Sequence, residues 1–134
     1  MPPPKEPAKQ KSIQRLVDLG AYPAEAYEFV QRGLGFTVQR VHGTAVDPDA
    51  SRHVSGQQLC EGLRDLAISQ WGMLASVVLR RWNIHSTLDF GRIVFSLIEV
   101  EQMQKTDQDS LEDFRGVFDF RTAFEAGYRI PSAK

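Results

Sequence analysis

The stretch that decides the predicted fold is residues 80–120, RRWNIHSTLDFGRIVFSLIEVEQMQKTDQDSLEDFRGVFDF. It begins as the end of a helix and turns at Asn83, because asparagine readily adopts the left-handed conformation that ends helices. A second helix is predicted to start at Ser86 or Thr87, whose hydroxyl can cap it, with Asp89 favoured by the positive end of the helix dipole. The apolar residues of this helix recur at three- and four-residue steps, which indicates one buried face. They are Phe90, Val94, Leu97 and Ile98.

Beyond Met103 the spacing of apolar residues changes. Residues 107–110, DQDS, predict a turn. From Phe114 to Phe120, phenylalanine and glycine occupy every second position, and this period of two is typical of a strand. We therefore favour a strand here, and a helix that begins at Ser110 is the competing prediction.

The N-terminal part of the chain predicts helices. Residues 1–11, MPPPKEPAKQK, are polar and rich in proline, which predicts a disordered tail. Ser12 is expected to cap a short helix, and Pro23 to open a longer one. Gly33 and Gly35 weaken that longer helix by about 1 kcal/mol each relative to alanine. Such a pair indicates a bend or a point of close packing.

A loop is predicted at 44–54 before the next pair of helices. Ser55-Gly56-Gln57-Gln58 then matches a capping box, in which the first and last residues satisfy each other's backbone N–H groups. Gly72 separates this helix from another, whose expected buried stripe is Leu74, Val77, Val78 and Trp82. The predicted organisation is a tail at 1–11 and one domain at 12–134, which comprises a helical half at 12–71, a second half at 72–120 and a docking segment at 121–134.

Composition places the chain among ordinary globular proteins. Its 134 residues suit one domain, and its net charge of −1 gives no overall attraction to nucleic acid or acidic membranes. No apolar run approaches the ~18 residues that span a bilayer. The N-terminus lacks the apolar segment of a signal peptide, and one cysteine fits a reducing compartment. A cytoplasmic location is the resulting expectation.

Two resemblances can be recognised in the chain. From Tyr22 to Ile130 it resembles a small bacterial protein family without an assigned activity, so this resemblance implies no chemistry. The residues that carry it are Tyr22-Pro23, Phe29-Val30, HVSGQQLCEGLRDLA at 53–67, TLDFGRIVF at 87–95, DSLEDF at 109–114 and VFDF at 117–120.

Residues 72–120 also resemble a winged helix-turn-helix. This resemblance implies an α+β fold that is mainly helical, with 73–82 as the first helix, 88–101 as the recognition helix and 105–120 as a short β-hairpin, the wing. The chain departs from that pattern at Gln102-Met103, where winged helices usually have a Gly-Leu step.

Charge decides between the two binding functions that this fold suggests. Residues 86–120 hold eight acidic and three basic side chains, whereas duplex DNA binding depends on Lys and Arg against phosphates. We therefore predict a non-enzymatic protein-recognition module that uses an acidic wing and nearby apolar surface. Its candidate contacts are Phe95, Asp107, Asp109, Glu112 and Asp113. The alternative is a DNA-binding regulator, with candidate contacts at Arg80, Arg81, Ser86, Thr87 and Arg92.

Catalytic and metal sites are the least favoured predictions. An enzyme centred on Cys60 and His53 is a third hypothesis, but Cys60 follows Leu59 on a helix with a buried stripe, and a packed cysteine is the commoner outcome. The three histidines show no zinc-ligand spacing. Residues 107–113 contain D-x-D but lack the glycine and glutamate of a calcium loop. We expect no catalytic residue, no metal and no cofactor.

Overall fold

The computed structural model describes residues 6–43, 53–100, 103 and 109–126. Five α-helices lie in these segments: α1 (Glu6–Leu19), α2 (Ala24–His42), α3 (Gly56–Trp71), α4 (Ala75–Arg81) and α5 (Thr87–Glu99). A 3₁₀ turn at Gly72–Leu74 joins α3 to α4, a second 3₁₀ turn covers Leu111–Phe114, and a π-helical turn covers Arg121–Ala126. No helix of the described segments is long and apolar enough to cross a bilayer.

Helices α2 and α3 form the centre of the fold because two glycines let their backbones approach closely. A Cβ atom on Gly62 of α3 would lie 1.9 Å from Thr37 Oγ1, and one on Gly33 of α2 would lie 2.1 Å from Leu63 Cδ2. Gly35, by contrast, has no atom within 4 Å of its would-be Cβ. The close packing point predicted from the two glycines of α2 is therefore at Gly33 alone.

Helix α5 and the 3₁₀ turn at Leu111–Phe114 complete the core. Gly91 of α5 admits the Phe114 ring, whose Cγ would lie 2.7 Å from a Cβ at that position. Phe90, one residue earlier on α5, is fully buried. Phe118, Phe120 and Phe124 pack on one another with ring centroids 5.1–5.8 Å apart. This cluster lies near the C-terminal end of the described residues.

Several helix boundaries predicted from the sequence are confirmed. Ser55 and Gln58 form the capping box of α3, in which each side chain accepts the other's backbone N–H. Pro23 precedes α2, and Ser86 is the N-cap of α5. Asn83 adopts a left-handed φ of 65° after α4.

The predicted start of the first helix is wrong. Helix α1 begins at Glu6 and not at the predicted cap Ser12. Residues 6–11, which the sequence places in a disordered tail, therefore lie in the first turns of this helix.

The predicted α+β fold is wrong, because the described residues contain helices and turns but no strand and no β-hairpin. In place of the expected wing, Ser110 caps a 3₁₀ turn, with its hydroxyl accepting from Glu112 N at 3.2 Å. Further along, the backbone N–H of Val117 donates to Thr87 Oγ1 at 3.2 Å, where a hairpin would need a partner strand. Phe114 lies in this 3₁₀ turn, Phe118 in the bend that follows it, and Phe120 at the start of the next helical turn.

Two further predictions need correction. Leu74 and Val77, expected in a buried stripe, are 62% and 42% exposed, and Ala75 and Leu79 take the buried positions of α4. The predicted loop at 44–54 lies mostly outside the described residues, as do the start of the expected wing at 105–108 and the end of the docking segment at 127–134.

Candidate functional site

The acidic residues predicted to meet a partner are engaged within the chain itself. Asp109 Oδ1 lies 3.2 Å from His53 Nε2. Glu112 accepts two hydrogen bonds from the Arg115 guanidinium, at 3.0 and 3.1 Å. Asp113 Oδ2 accepts from the backbone N–H of Ser110 at 3.0 Å. Asp107 lies outside the described residues. These contacts leave less negative charge for a partner than the sequence suggested.

A cavity of about 520 Å³ lies where α2, α3, α5 and the 3₁₀ turn at Leu111–Phe114 meet. Its wall is apolar, and Phe95, which the sequence singled out as a contact residue, is part of it. Other apolar side chains of the wall are Leu34 and Val38 of α2, Leu59 of α3, and Val94 and Ile98 of α5. Ligand pockets in proteins commonly measure about 300–1,000 Å³. We call this feature the α2–α3–α5 cavity.

The polar side of the cavity is formed by His53, Ser55 and Asp109. Ser55 already accepts from Gln58 N at 3.0 Å, so its hydroxyl serves the helix cap. The backbone carbonyl of His53 lies 2.7 Å from His42 Nε2, which must be the donor because a carbonyl oxygen only accepts. The cavity therefore contains an apolar wall with one histidine–carboxylate pair on it.

Cys60 does not belong to this site. It is fully buried in α3, and burial, with a smaller contribution from the charge of Glu61, raises the pKa of its thiol to about 12. The reactive species of a cysteine is the thiolate, which is scarce at neutral pH when the pKa is this high.

We expect Cys60 in the folded protein to resist iodoacetamide at a pH near the ordinary thiol pKa of about 8.5, because the thiol is both buried and protonated. Intact-mass spectrometry should show no added carbamidomethyl group until urea unfolds the chain. Full labelling of the native protein within minutes would contradict this placement and restore a nucleophilic role for Cys60.

The residues predicted to contact nucleic acid do not share one free surface. Thr87 is buried, donates to the Phe114 carbonyl at 2.6 Å and accepts from Val117 N. Arg92 donates to Asp89 Oδ1 at 3.0 Å. Arg80 and Arg81 lie exposed in the last turn of α4, with no ion pair to any other described side chain, and Ser86 is exposed at the start of α5. Of the five predicted contacts, Thr87 is therefore the one that is withdrawn from a ligand, whereas Arg92 stays exposed beside its ion pair with Asp89.

Asp89 is the centre of a polar network that ties two turns of the chain together. Its carboxylate accepts from Tyr22 Oη at 2.5 Å, and from the backbone N–H groups of His85 and Ser86 at 2.8 and 3.2 Å. Burial alone would raise the pKa of this carboxyl, but the hydrogen bonds from Tyr22, His85 and Arg92 outweigh burial and hold the pKa below its ordinary value. The sequence indicated Asp89 as a first-turn acid, but no local signal pointed to Tyr22.

Two other surface features were not predicted from the sequence, although Arg80 had been named as a candidate nucleic-acid contact. Met73, Leu74 and Val77 form an exposed apolar patch at the start of α4, with Met73 71% exposed. Arg80 and Arg121 border a smaller cleft beside α4. Among the described residues, no group of three or more His, Cys, Asp or Glu side chains is placed to hold a metal ion.

In the part of the chain that the structure describes, this geometry defines a small helical domain with an apolar cavity and a cleft lined by two arginines. No protein-family model, curated protein or solved structure matches the chain. The resemblances to a bacterial family and to winged helices therefore gain no support from a relative, and function has to be inferred from the geometry.

Proposed function

We propose that the chain is a non-enzymatic recognition module, which receives an apolar side chain of a protein partner in the α2–α3–α5 cavity. The observation that carries this proposal is the apolar wall of the 520 Å³ cavity, which includes the half-buried Phe95. Burying one large apolar side chain stabilises a complex by about 1.5–3 kcal/mol. A few such anchors commonly dominate the energy of an interface.

The charges beside the cavity favour a partner with basic residues next to its apolar anchor. Residues 109–115 contain three acidic residues, Asp109, Glu112 and Asp113, and one basic residue, Arg115, which pairs with Glu112. Their intramolecular partners reduce this charge but do not reverse it, because Asp113 is bonded to an uncharged backbone N–H. Complementary charge at the rim of an interface chiefly raises the association rate and selects among partners. Basic residues in the partner should therefore improve binding more at low salt than at high salt.

The two other functions considered have less support. DNA binding would draw on Thr87 and Arg92, whose side chains are bonded within the chain. An enzyme centred on Cys60 would need an accessible thiolate, which burial of this residue opposes.

Substitution of a half-buried residue of the cavity wall gives a direct test. Val38 lines the cavity and is half-buried, whereas Val41 lies three residues further along α2, is 41% exposed and does not line it. Peptides selected from a display library on the wild-type protein should carry a large apolar residue beside Lys or Arg. Their affinity should fall at least about tenfold for Val38→Trp, which loses one anchor, and stay within about twofold for the matched control Val41→Trp.

Circular dichroism melts of both variants separate loss of binding from loss of folding. If both variants fold and the selected peptides bind Val38→Trp as tightly as wild type, the cavity is not the recognition site. Equal loss in Val38→Trp and Val41→Trp would place the contact elsewhere on α2 and would also contradict the proposal.

A further inference from the structure

A second cleft, of about 290 Å³, lies between α4, the turn that follows it and the start of the π-helical turn at Arg121–Ala126. Its lining side chains are Ser76, Arg80, His85, Asp119, Phe120 and Arg121. None of these residues lines the α2–α3–α5 cavity. We call this feature the α4 cleft.

The two arginines of the α4 cleft are exposed cations that form no ion pair with a described side chain. In the described segments, neither Arg80 nor Arg121 forms an ion pair, whereas Arg40, Arg92 and Arg115 each contact a carboxylate. A guanidinium group presents several N–H donors in one plane, and this arrangement fits the oxygens of a phosphate or a carboxylate. Two such groups at one cleft indicate a site for an anion.

Ser76 adds a hydroxyl donor to the α4 cleft. Its residue is only 6% exposed and lines the cleft, and its hydroxyl has no hydrogen-bond partner among the described residues. The hydroxyl oxygen itself is not among the fully buried polar atoms, so it keeps contact with solvent in the cleft, where a ligand can reach it. An oxyanion bound in the cleft would accept a hydrogen bond from this hydroxyl.

Two other polar residues define how the cleft is charged. Asp119 opposes an anion, but its Oδ1 accepts from Thr122 N at 3.1 Å and thereby caps the following turn. Two arginines against one aspartate leave a net charge of +1 with His85 neutral. The His85 ring is held in place, since its Nε2 lies 3.0 Å from the Oδ1 of Asn83, whose Nδ2 donates to the Ala21 carbonyl.

From these observations we infer that the α4 cleft is a binding site for a small oxyanion, a phosphate or a carboxylate, held by Arg80, Arg121 and the Ser76 hydroxyl. The remaining oxygen of Asp119 suits a ligand that carries a hydroxyl or amino donor next to its anionic group. This site is independent of the proposed recognition of an apolar side chain, because the two share no residue.

The test is a titration of the full chain with inorganic phosphate at constant ionic strength, followed by NMR of backbone amides and arginine Nε–Hε groups. Saturable shifts are expected at Ser76, Arg80 and Arg121. Arg80→Gln and Arg121→Gln should each weaken phosphate binding about tenfold, since a charge-assisted contact is lost. Arg81→Gln is the matched control: Arg81 is the next residue, is also exposed and does not line the cleft, so its variant should bind like wild type.

The outcomes distinguish a built site from general attraction to positive charge. An equal loss in Arg80→Gln and Arg81→Gln, or shifts that rise without saturation, would overturn the proposal. Ser76→Ala should weaken binding about threefold, as expected for one neutral hydrogen bond, and an unchanged affinity would remove Ser76 from the site. A short DNA duplex added in place of phosphate identifies the source of the anion: shifts at the same three residues assign it to a nucleic-acid backbone, and their absence assigns it to a small molecule.

Discussion

Replacing Asp89 with alanine is expected to lower the free energy of unfolding by about 3 kcal/mol. The reason is that four donors lose their acceptor at once: Tyr22 Oη, Arg92 and the backbone N–H groups of His85 and Ser86. Tyr22 is buried and cannot turn to water, whereas Arg92 is exposed and can. Urea unfolding followed by circular dichroism measures the loss.

Tyr22→Phe is the control, because it removes one donor and leaves the carboxylate with the other three. We expect it to cost about 1 kcal/mol, clearly less than Asp89→Ala. If Asp89→Ala were no more damaging than Tyr22→Phe, the link between the turn before α2 and the turn before α5 would not depend on the carboxylate.

The same network predicts how stability depends on pH. The folded-state pKa of Asp89 is depressed, so its contribution to stability is present above the unfolded pKa of about 3.9 and is lost as the pH falls through the lower folded value. Asp65 has a depressed pKa as well, through Arg64 and Arg40, although its partial burial opposes this shift. Wild-type stability should therefore fall below about pH 4, and Asp89→Asn should fall less steeply. A wild-type curve that is flat there would contradict the assignment.

The second large effect concerns the contact between α2 and α3. Gly62→Ala is expected to destabilise the fold by about 1–3 kcal/mol, because its new methyl group would meet Thr37 Oγ1 at 1.9 Å. Thr37 cannot rotate away without losing its hydrogen bond to the Gly33 carbonyl, which measures 2.7 Å. The clash outweighs the gain in helix propensity that alanine brings.

Gly35→Ala is the matched control and should change stability in the opposite direction. Gly35 lies in the middle of α2, is exposed, and has open space where a methyl group would go. The same substitution there should therefore stabilise the protein by up to about 1 kcal/mol. Thermal or urea unfolding of the two variants gives the comparison. A loss of stability in Gly35→Ala, or none in Gly62→Ala, would contradict the packing described for α2 and α3.

Local chemistry made some of the fold predictable from the sequence. A cap needs only residues within one turn of each other, so the pairing of Ser55 with Gln58 and the left-handed turn at Asn83 were both predicted correctly. The strand at 114–120 was wrong because period-two spacing cannot show whether a second strand exists to accept its hydrogen bonds. Leu74 was wrongly expected in the core, because its hydrophobicity alone does not show whether another part of the chain covers it.

The candidate site depended on contacts between distant parts of the chain, which the sequence could not supply. The cavity joins Val38, Leu59 and Phe95 from three helices, and of these only Phe95 was named from the sequence as a candidate contact. The Tyr22–Asp89 bond spans 67 residues. The acidic residues were recognised as a group, but their partners became visible only once His53 and Arg115 were placed beside them.

The central claim, that the α2–α3–α5 cavity binds an apolar side chain, is tested most directly with methyl-labelled protein and two simple probes. N-acetyl-leucinamide should shift the methyl signals of Leu34, Val38, Leu59, Val94 and Ile98, which line the cavity, and leave those of the exposed Met73 and Leu74 unmoved. N-acetyl-glycinamide, which has no apolar side chain, should shift none of them. Shifts at Met73 and Leu74 in place of the cavity methyls, or equal shifts with both probes, would contradict the account.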